Sequence, residues 1–456
     1  MRKILIILTV LTAVITSCCD DEEEHKYVPA AQAKRTVLVY MSGENNLTVT
    51  SGTRFLNNDL QELVEGSRQL GDDERLLVFV DSLNTNSQQA GNPYIIEVHG
   101  GEIYELKQFD KEFYATDPDY FKQILQWTVS NAPANSYGLV LWGHAKGWLV
   151  ETDTISRSRQ RRAYGVDTGA DLPISSGNKW INITTLADVL KAIPKLEFIF
   201  SDCCNMMCAE VGYELRDVTN YLIGSPAEIP GNGAPYNLIA ACLFKQGSDL
   251  YRSIIDTYYN YYAEAYKSRN DLKDNSVPLA VIDTKYIDML AQATHDAIEK
   301  FSEPYPVYPQ SPNLTRDSVK FYFFEDVPVM FDMRAFVKTY ATSDEFDRWD
   351  HVYQQAVPYY RSSQKWMTSY MRLESSFQTF KHDDTQNGCV SMFIPRYTEY
   401  YFISTYKYNY TFRQYQWNVL MDWGRFGWNE NITYPYLSAA RERLPSPSRC
   451  DVRQVP

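Results

Sequence analysis

Residues 195–217 read KLEFIFSDCCNMMCAEVGYELRD, an apolar segment that ends in Asp-Cys-Cys and is followed at once by a helical pattern. A second apolar segment, YGLVLWGH over 137–144, ends in a histidine, His144. Parallel neighbouring strands would bring both ends to one edge of a sheet, where open α/β folds place their ligand sites. A cysteine in the first turn of the helix would also be favoured as thiolate by the helix dipole. The two segments therefore predict a Cys/His pair suited to peptide hydrolysis.

The rest of the chain alternates short apolar runs with helical patterns, which predicts an α/β fold with a mostly parallel sheet. Strands are predicted at 36–42, 75–81, 137–143, 196–201, 220–224, 277–283 and 389–395. Helices are predicted at 53–66, 119–131, 185–193, 206–216, 237–267, 285–301, 332–361 and 411–422. The segment 94–107 alternates around two glycines and predicts a hairpin. A Pro-rich run at 302–312 is the predicted boundary between a core, 36–301, and a C-terminal extension, 302–456.

The composition is that of a large globular chain without a surface for nucleic acid. The chain has 456 residues, of which 44% are apolar and 14% aromatic, enough to bury a large core. The formal charge is −13 at pH 7, and the sequence has no basic stripe that could contact the phosphate groups of a nucleic acid. Cys204, Cys208 and His144 could bind zinc, but no CxxC pair or second histidine at ligand spacing accompanies them. We therefore predict no metal among the site residues.

The first residues have the pattern of an export signal. Two basic residues precede an apolar run over 4–15, and Cys18 follows. This run is too short to span a bilayer, so a transmembrane anchor is not predicted. The pattern resembles a bacterial lipoprotein signal, in which residues 1–17 are removed and Cys18 is acylated. The acidic stretch within 18–35 is either a solvated linker or, by resemblance to lipoproteins of Bacteroidota, a surface-export signal. The expected location is the cell envelope, by lipid anchorage in the outer membrane.

Three blocks of sequence resemble the clostripain family of cysteine peptidases. They are VLVYMSGENNL (37–47), LVLWGHAKGW (139–148) and FSDCCNMMCAEVGYELRDVTNYLIGSPAEIPGNGAPY (200–236). The resemblance extends from about Thr36 to Trp428 and weakens after Thr284. It implies a caspase-like three-layer fold with a helix-rich C-terminal region. It also implies cleavage of proteins or peptides after basic residues, with arginine preferred to lysine.

The family pattern distinguishes between the two adjacent cysteines. Members carry Asp-x-Cys with a glutamate six residues after the cysteine, and counting back from Glu210 gives Cys204 as the nucleophile. Asp202 then takes the acidic position. Cys203 is expected to turn away into the sheet packing because successive strand residues alternate in direction. Cys208 is likewise expected to be a small buried hydrophobe.

The same resemblance implies roles for the surrounding residues. His144 accepts and then returns a proton, while the backbone N–H groups of Ala145 and Cys204 form an oxyanion hole. Ala145 replaces the usual glycine, so a requirement for positive φ there would strain the backbone. Asp202 is expected to bind a substrate guanidinium through charge-assisted hydrogen bonds. Its alternative role is the N-cap of the following helix.

A basic loop lies between the predicted dyad residues. The stretch ETDTISRSRQRRAYG carries four arginines: Arg157, Arg159, Arg161 and Arg162. A charge run is usually a solvated surface, but precursors in this family are commonly cut between histidine and cysteine by their own basic specificity. The resemblance therefore predicts self-cleavage after one of these arginines. Some relatives also need calcium. Because no EF-hand pattern is present, no cofactor is expected to be required, and calcium is allowed by the resemblance alone.

Two other functions stay open. The chain could be a catalytically inactive caspase-fold surface lipoprotein that acts as a binding or scaffold protein, an alternative suggested by Ala145 and the doubled cysteine. It could also be a caspase-fold hydrolase or transpeptidase with a non-basic substrate. The joint presence of Asp202, Cys204 and His144 favours the peptidase.

Overall fold

The structure is a computed structural model that describes most of the predicted core. The described residues are 27–48, 52–84, 90–149, 164–167, 179–265, 276–302, 319–324, 328–366, 382–394 and 415–423. The predicted lipidation site, Cys18, and the candidate self-cleavage sites lie outside them. In the described part, no helix combines the length and apolar character needed to cross a membrane.

One large sheet organises the described residues. The strands are β1 (Arg35–Gly43), β2 (Glu74–Ser82), β3 (Tyr94–His99), β4 (Glu102–Gln108), β5 (Tyr137–Trp142), β6 (Tyr164–Asp167), β7 (Lys179–Ile181), β8 (Leu196–Asp202), β9 (Thr219–Gly224), β10 (Leu279–Asp283), β11 (Phe321–Phe324), β12 (Pro328–Asp332), β13 (Tyr359–Arg361) and β14 (Ser391–Met392). Nine of these strands form the large sheet in the order β13-β10-β9-β8-β5-β1-β2-β3-β4. Its centre, from β9 to β2, is parallel, and both edges are antiparallel. The predicted mostly parallel sheet and the 94–107 hairpin are confirmed.

Helices cover both faces of this sheet. They are α1 (Phe55–Gly66), α2 (Pro118–Asn131), α3 (Ile183–Leu190), α4 (Ala209–Glu214), α5 (Tyr236–Ile239), α6 (Gly247–Ala265), α7 (Ile287–Ser302), α8 (Met333–Tyr340), α9 (Ser343–Ala356) and α10 (Gln416–Met421). One core cluster joins the sheet to α1, α5 and α6, and a second joins the opposite face to α2, α3, α4 and α7. The molecule therefore has the three layers expected of a caspase-like fold.

Burial on both faces explains why the central strands are continuous apolar runs. All nine residues of β1 are buried. Val37 and Val39 pack in the cluster with α1, whereas Leu38 and Tyr40 pack in the cluster with α2. A strand covered by helices on both sides needs apolar residues at every position, which is the pattern from which the parallel sheet was predicted.

The helix after the two cysteines is shorter than predicted. A helix was expected over 206–216, but α4 begins only at Ala209. Asn205 has a left-handed backbone with φ +62°, and its N–H donates to the Ala227 carbonyl at 3.0 Å. The Met207 N–H donates to the Ser225 carbonyl at 2.9 Å. These bonds to the segment after β9 replace the helical bonds, so the first turn cannot form.

Two predicted long helices are each broken. The helix expected over 237–267 consists of α5, a 3₁₀ segment over Ala240–Phe244 and α6. The helix expected over 332–361 consists of α8 and α9 followed by β13. Thr342 and Glu345 form a capping box that starts α9, since the Thr342 N–H donates to the Glu345 carboxylate at 3.0 Å.

The chain beyond residue 302 adds to the same core. β13 extends the large sheet beside β10, and β11, β12 and β14 form a small sheet. β14 meets the cysteine segment, because the Ser391 N–H donates to the Met207 carbonyl at 3.0 Å. Glu210 is fully buried and accepts a hydrogen bond from the Phe393 N–H at 2.8 Å. The C-terminal residues thus support the loop that carries Cys204.

Candidate active site

His144 and Cys204 stand at equivalent positions on neighbouring parallel strands. The register of β5 and β8 pairs Trp142 with Asp202. Each candidate residue lies two positions beyond that pair, at the carboxyl edge of the sheet. This is the edge predicted from the sequence, and both side chains are partly exposed there.

The two loops that carry these residues are in contact. Gly147 has φ +57°, and a Cβ placed on it would clash with the Asn205 carbonyl oxygen and lie 3.2 Å from Cys208 Sγ. Only glycine both adopts this backbone and fits this space. The histidine loop and the cysteine loop are therefore packed together at Gly147.

Cys204 lies in a different electrostatic environment from the one predicted. Cys208 is the N-cap of α4, so Cys204 is not in the first turn of a helix, and that prediction is wrong. Removal from water raises the pKa of the Cys204 thiol to about 12, and the Glu228 carboxylate acts in the same direction. The Ile229 N–H and the Lys146 ammonium oppose this shift. In this conformation the thiol is protonated at neutral pH.

The other cysteines of the segment are structural. Cys203 is 0% exposed and packs on the sheet face opposite the tyrosines that contact Asp202, as strand alternation predicts. Cys208 is also buried, and its thiol donates weakly to the Asn205 carbonyl. The described groups that could hold a metal ion do not include Cys204, Cys208 or His144.

Asn46 contacts the imidazole of His144. Its Oδ1 lies 2.7 Å from His144 Nε2. An amide oxygen can only accept, so in this arrangement Nε2 donates and Nδ1 carries the lone pair. The His144 carbonyl accepts a hydrogen bond from the Gly165 N–H at 2.8 Å. Asn46 was not singled out from the sequence, although it lies in the SGENN run directly after β1.

Ala145 does not have the positive φ that would strain the backbone of a residue with a methyl side chain. Positive φ among the described non-glycine residues occurs at Asn205, Cys389 and Asp422, and not at Ala145. The left-handed conformations of this loop fall instead on Gly143, with φ +139°, and on Gly147. Replacement of the usual glycine by Ala145 is therefore compatible with the backbone seen here.

Asp202 is a buried carboxylate surrounded by donors. It is 3% exposed and accepts hydrogen bonds from the Ala234 N–H at 3.0 Å and the Tyr236 hydroxyl at 2.8 Å. The Tyr258 hydroxyl approaches its other oxygen at 3.3 Å. Burial raises the pKa of Asp202, and these donors oppose the shift. The alternative role as helix N-cap is wrong, since Cys208 takes that position.

A second group of carboxylates lies at the same edge of the sheet. Glu44 follows β1, Asp81 belongs to β2 and Asp167 ends β6, and all three are 0% exposed. One oxygen from each lies within 4.8 Å of the others. Glu112 is close enough to Glu44 and Asp167 to add its charge to theirs. This acidic cluster was not predicted, because its members are far apart in sequence.

The family of the chain follows from comparison with known proteins. The model of the clostripain family matches residues 39–424. Comparison with curated proteins gave no match.

Solved structures with the same fold include a secreted C11 cysteine protease from Bacteroides thetaiotaomicron in complex with an irreversible peptide inhibitor. It is 28% identical with a TM-score of 0.68, and the match covers 86% of this chain and 99% of that one. An inactive zymogen C11 protease from Parabacteroides distasonis is 23% identical with a TM-score of 0.66, over 86% of this chain and 99% of that one. The second likeness supports the fold alone. The family match over most of the chain shows that this protein belongs to the clostripain family and is a cysteine protease.

Proposed function

We propose that the chain is an endopeptidase that cleaves after arginine, and less readily after lysine, with Cys204 as nucleophile and His144 as its general base. The observation that carries the proposal is the β5–β8 register, which sets both residues two positions beyond one strand pair. The contact of their loops at Gly147 supports the same pairing. Cys203, buried in the core, is not placed to attack a substrate.

The raised pKa of Cys204 makes a base necessary. His144 Nδ1 removes the thiol proton as Sγ attacks the carbonyl carbon of the scissile bond. The tetrahedral intermediate then collapses, and the leaving amine takes the proton from His144, which leaves a thioester on Cys204. Water, deprotonated by His144, hydrolyses this thioester and restores the thiol. Asn46 fixes the ring so that Nδ1 is the basic atom throughout.

Backbone N–H groups of Ala145 and Cys204 would stabilise the oxyanion. Ala145 and Tyr164 form an isolated antiparallel β-bridge, in which the Gly165 N–H donates to the His144 carbonyl. In the described part of the chain, neither the Ala145 nor the Cys204 N–H donates to a backbone carbonyl in the turns and loops. Both donors are thereby suited to serve a substrate oxygen.

Asp202 is proposed to select arginine, because no basic side chain among the described residues pairs with it, and a buried carboxylate of this kind can bind a guanidinium by two hydrogen bonds. Gly233 supports this role: a Cβ there would lie 2.7 Å from Asp202 Oδ2 and crowd the carboxylate. Access requires the segment from Gly233 to Tyr236 to open toward the substrate. Asp202→Asn should lower kcat/KM on arginine peptides by about a hundredfold and on apolar peptides far less. An equal loss on both would show that Asp202 only supports the fold.

The lipid anchor at Cys18 is part of the proposal and rests on the signal pattern alone. Cys18→Ser should block acylation, so the protein should leave the detergent-soluble membrane fraction. Wild-type protein that is wholly soluble and keeps residues 1–17 would refute the anchor.

The alternative of an inactive scaffold protein was suggested by Ala145 and by the doubled cysteine. The first reason no longer holds, because Ala145 is not in a strained conformation. A fluorogenic peptide with one arginine separates the two functions. Hydrolysis by the wild type supports the peptidase, and its absence in processed protein supports the scaffold.

A further inference from the structure

We propose that the hydroxyl groups of Tyr236 and Tyr258 occupy Asp202 when no substrate is bound, and that the arginine of a substrate displaces them. This inference rests on the proposed function, in which Asp202 selects arginine. The two tyrosines are then specificity-determining residues, because the affinity for arginine depends on the strength of the hydrogen bonds that it replaces.

The two tyrosines reach Asp202 from different helices. Tyr236 begins α5 and donates its hydroxyl to Asp202 Oδ2 at 2.8 Å, whereas Tyr258 lies in α6 and donates to Oδ1 at 3.3 Å. The Ala234 N–H donates to the same Oδ2 at 3.0 Å. Both tyrosines are 0% exposed. Because both carboxylate oxygens are engaged and buried, a guanidinium needs the place of at least one hydroxyl to pair with them side by side.

Neutral donors satisfy the hydrogen bonds of Asp202 but not its charge. The neighbouring Asp59 is 2% exposed, and its Oδ2 accepts a hydrogen bond from the Trp142 indole N–H at 2.6 Å. Burial and the charge of Asp202 raise the pKa of Asp59 to about 9, which leaves the negative charge of the pair on Asp202 at pH 7. A guanidinium brings charge as well as hydrogen bonds. The tyrosine hydroxyls are therefore weaker occupants of Asp202 than an arginine side chain.

The backbone around Tyr236 is tied to two helices. The Gly233 carbonyl accepts a hydrogen bond from the Tyr262 hydroxyl of α6 at 2.8 Å. The Tyr236 N–H donates to the Glu62 carboxylate of α1 at 2.9 Å. Opening of this segment breaks a defined set of hydrogen bonds, and a substrate arginine replaces those made to Asp202.

The alternative is that the hydroxyls stay on Asp202 in the complex and orient it for the guanidinium. The two arrangements predict opposite effects of removing a hydroxyl. Displacement predicts that Tyr236→Phe binds arginine more tightly, because the substrate no longer has to break that hydrogen bond. Orientation predicts equal or weaker binding, because the carboxylate loses a support.

Binding is measured by calorimetry on full-length Cys204→Ala protein that an added protease has cut in the arginine loop. One probe is a peptide that ends in arginine, and the other ends in citrulline, which has the same shape and no charge. Tyr236→Phe should bind the arginine peptide about tenfold more tightly, as expected for one hydrogen bond to a charged group. Its affinity for the citrulline peptide should change far less, because a neutral group gains too little from Asp202 to displace the hydroxyl.

Tyr353→Phe is the matched control. Tyr353 is also 0% exposed, and its hydroxyl donates to the Gly388 carbonyl at 2.7 Å rather than to Asp202. This variant loses one buried hydroxyl and should keep both affinities. The titrations are run at pH 8, because loss of a donor raises the pKa of Asp202 and a protonated carboxyl would bind arginine weakly.

Asp202→Asn in the same background separates this inference from the proposed function. If Asp202→Asn binds the arginine peptide as tightly as the parent, Asp202 does not select arginine, and both proposals fail. If Asp202→Asn weakens binding but Tyr236→Phe does not strengthen it, the displacement of the hydroxyl is overturned and the role of Asp202 stands. If Tyr236→Phe fails to fold, Tyr258→Phe is measured by the same criteria, with an expected gain of about threefold because its contact with Asp202 is longer.

Discussion

At the scale of single residues, the proposed mechanism depends on how the proton leaves the Cys204 thiol. Burial and Glu228 favour the protonated form of the thiol, which does not lie in the first turn of α4. The family register and strand alternation are local patterns, so the position of Cys204 at the sheet edge and the burial of Cys203 could be predicted from sequence. Asn46 reaches the site from a distant part of the chain, so its contact with His144 could not be predicted.

We expect Asn46 to position His144, so its loss should appear in the pH profile. Asn46→Ala removes the hydrogen bond to His144 Nε2 and should lower kcat/KM by about ten- to hundredfold. Asn46→Asp keeps an acceptor and adds negative charge, which stabilises the imidazolium. Its kcat/KM profile should therefore shift to higher pH. An unchanged pH profile in Asn46→Asp, together with full activity in Asn46→Ala, would show that Asn46 does not position His144.

Glu210 should make stability depend on pH. Burial raises its pKa from 4.5 to about 7 in the folded protein. The folded state therefore binds the proton more tightly, and the stabilisation is complete below pH 4.5 and lost as pH rises through about 7. Glu210→Gln mimics the protonated form and should gain up to about 3 kcal/mol on the wild type across this range. Urea unfolding of both proteins at pH 5 and pH 8 measures this, and parallel pH dependences would contradict it.

At the scale of elements, local pattern predicts strands better than the segments between them. The central strands are buried on both faces, so their apolar runs are unambiguous. The helix over 206–216 was predicted too long because the cysteine segment bonds to Ser225 and Ala227, which no local pattern reveals. The break before α9 carried a readable signal, the capping box of Thr342 and Glu345.

The contact between the loops that carry His144 and Cys204 predicts a large effect of Gly147→Ala, if these residues form the proposed dyad. The methyl group would meet the Asn205 carbonyl and separate the loops, so kcat/KM should fall on the order of a hundredfold. Gly100→Ala is the matched control, since Gly100 also has positive φ, +61°, and open space around it. Both variants should lose about 1 kcal/mol from backbone strain. Equal kcat/KM in the two variants would contradict the contact's role.

At the scale of the whole molecule, the family blocks and the alternation of strands and helices were sufficient to predict a layered α/β protease. The antiparallel edge at β13 could not be predicted in the same way, because β13 comes from the region beyond residue 302, where the local pattern is weak. The acidic cluster joins three distant segments and could not be predicted from any one of them.

Self-cleavage should leave two chains that stay together. A cut after Arg157, Arg159, Arg161 or Arg162 separates β5 from β8, which pair along their length in the large sheet. The buried core on both sides of that pair should hold the fragments without a disulfide. Denaturing gels should show two fragments and size-exclusion chromatography one species. The Cys204→Ala variant should stay intact, and its cleavage at the same bond would assign the cut to another protease.

Whether Cys204 or Cys203 is the nucleophile is decided by measuring kcat/KM of the two alanine variants on one arginine peptide. Both variants should first be cleaved in the arginine loop by an added protease, so that a failure of self-cleavage does not limit the activity of either one. Cys204→Ala should abolish hydrolysis, because Cys204 is the partly exposed member of the adjacent pair and Cys203 is buried. Cys203→Ala should keep most of the activity, since it removes a buried side chain of the core. Equal loss in both variants, or hydrolysis that survives in Cys204→Ala, would contradict the account.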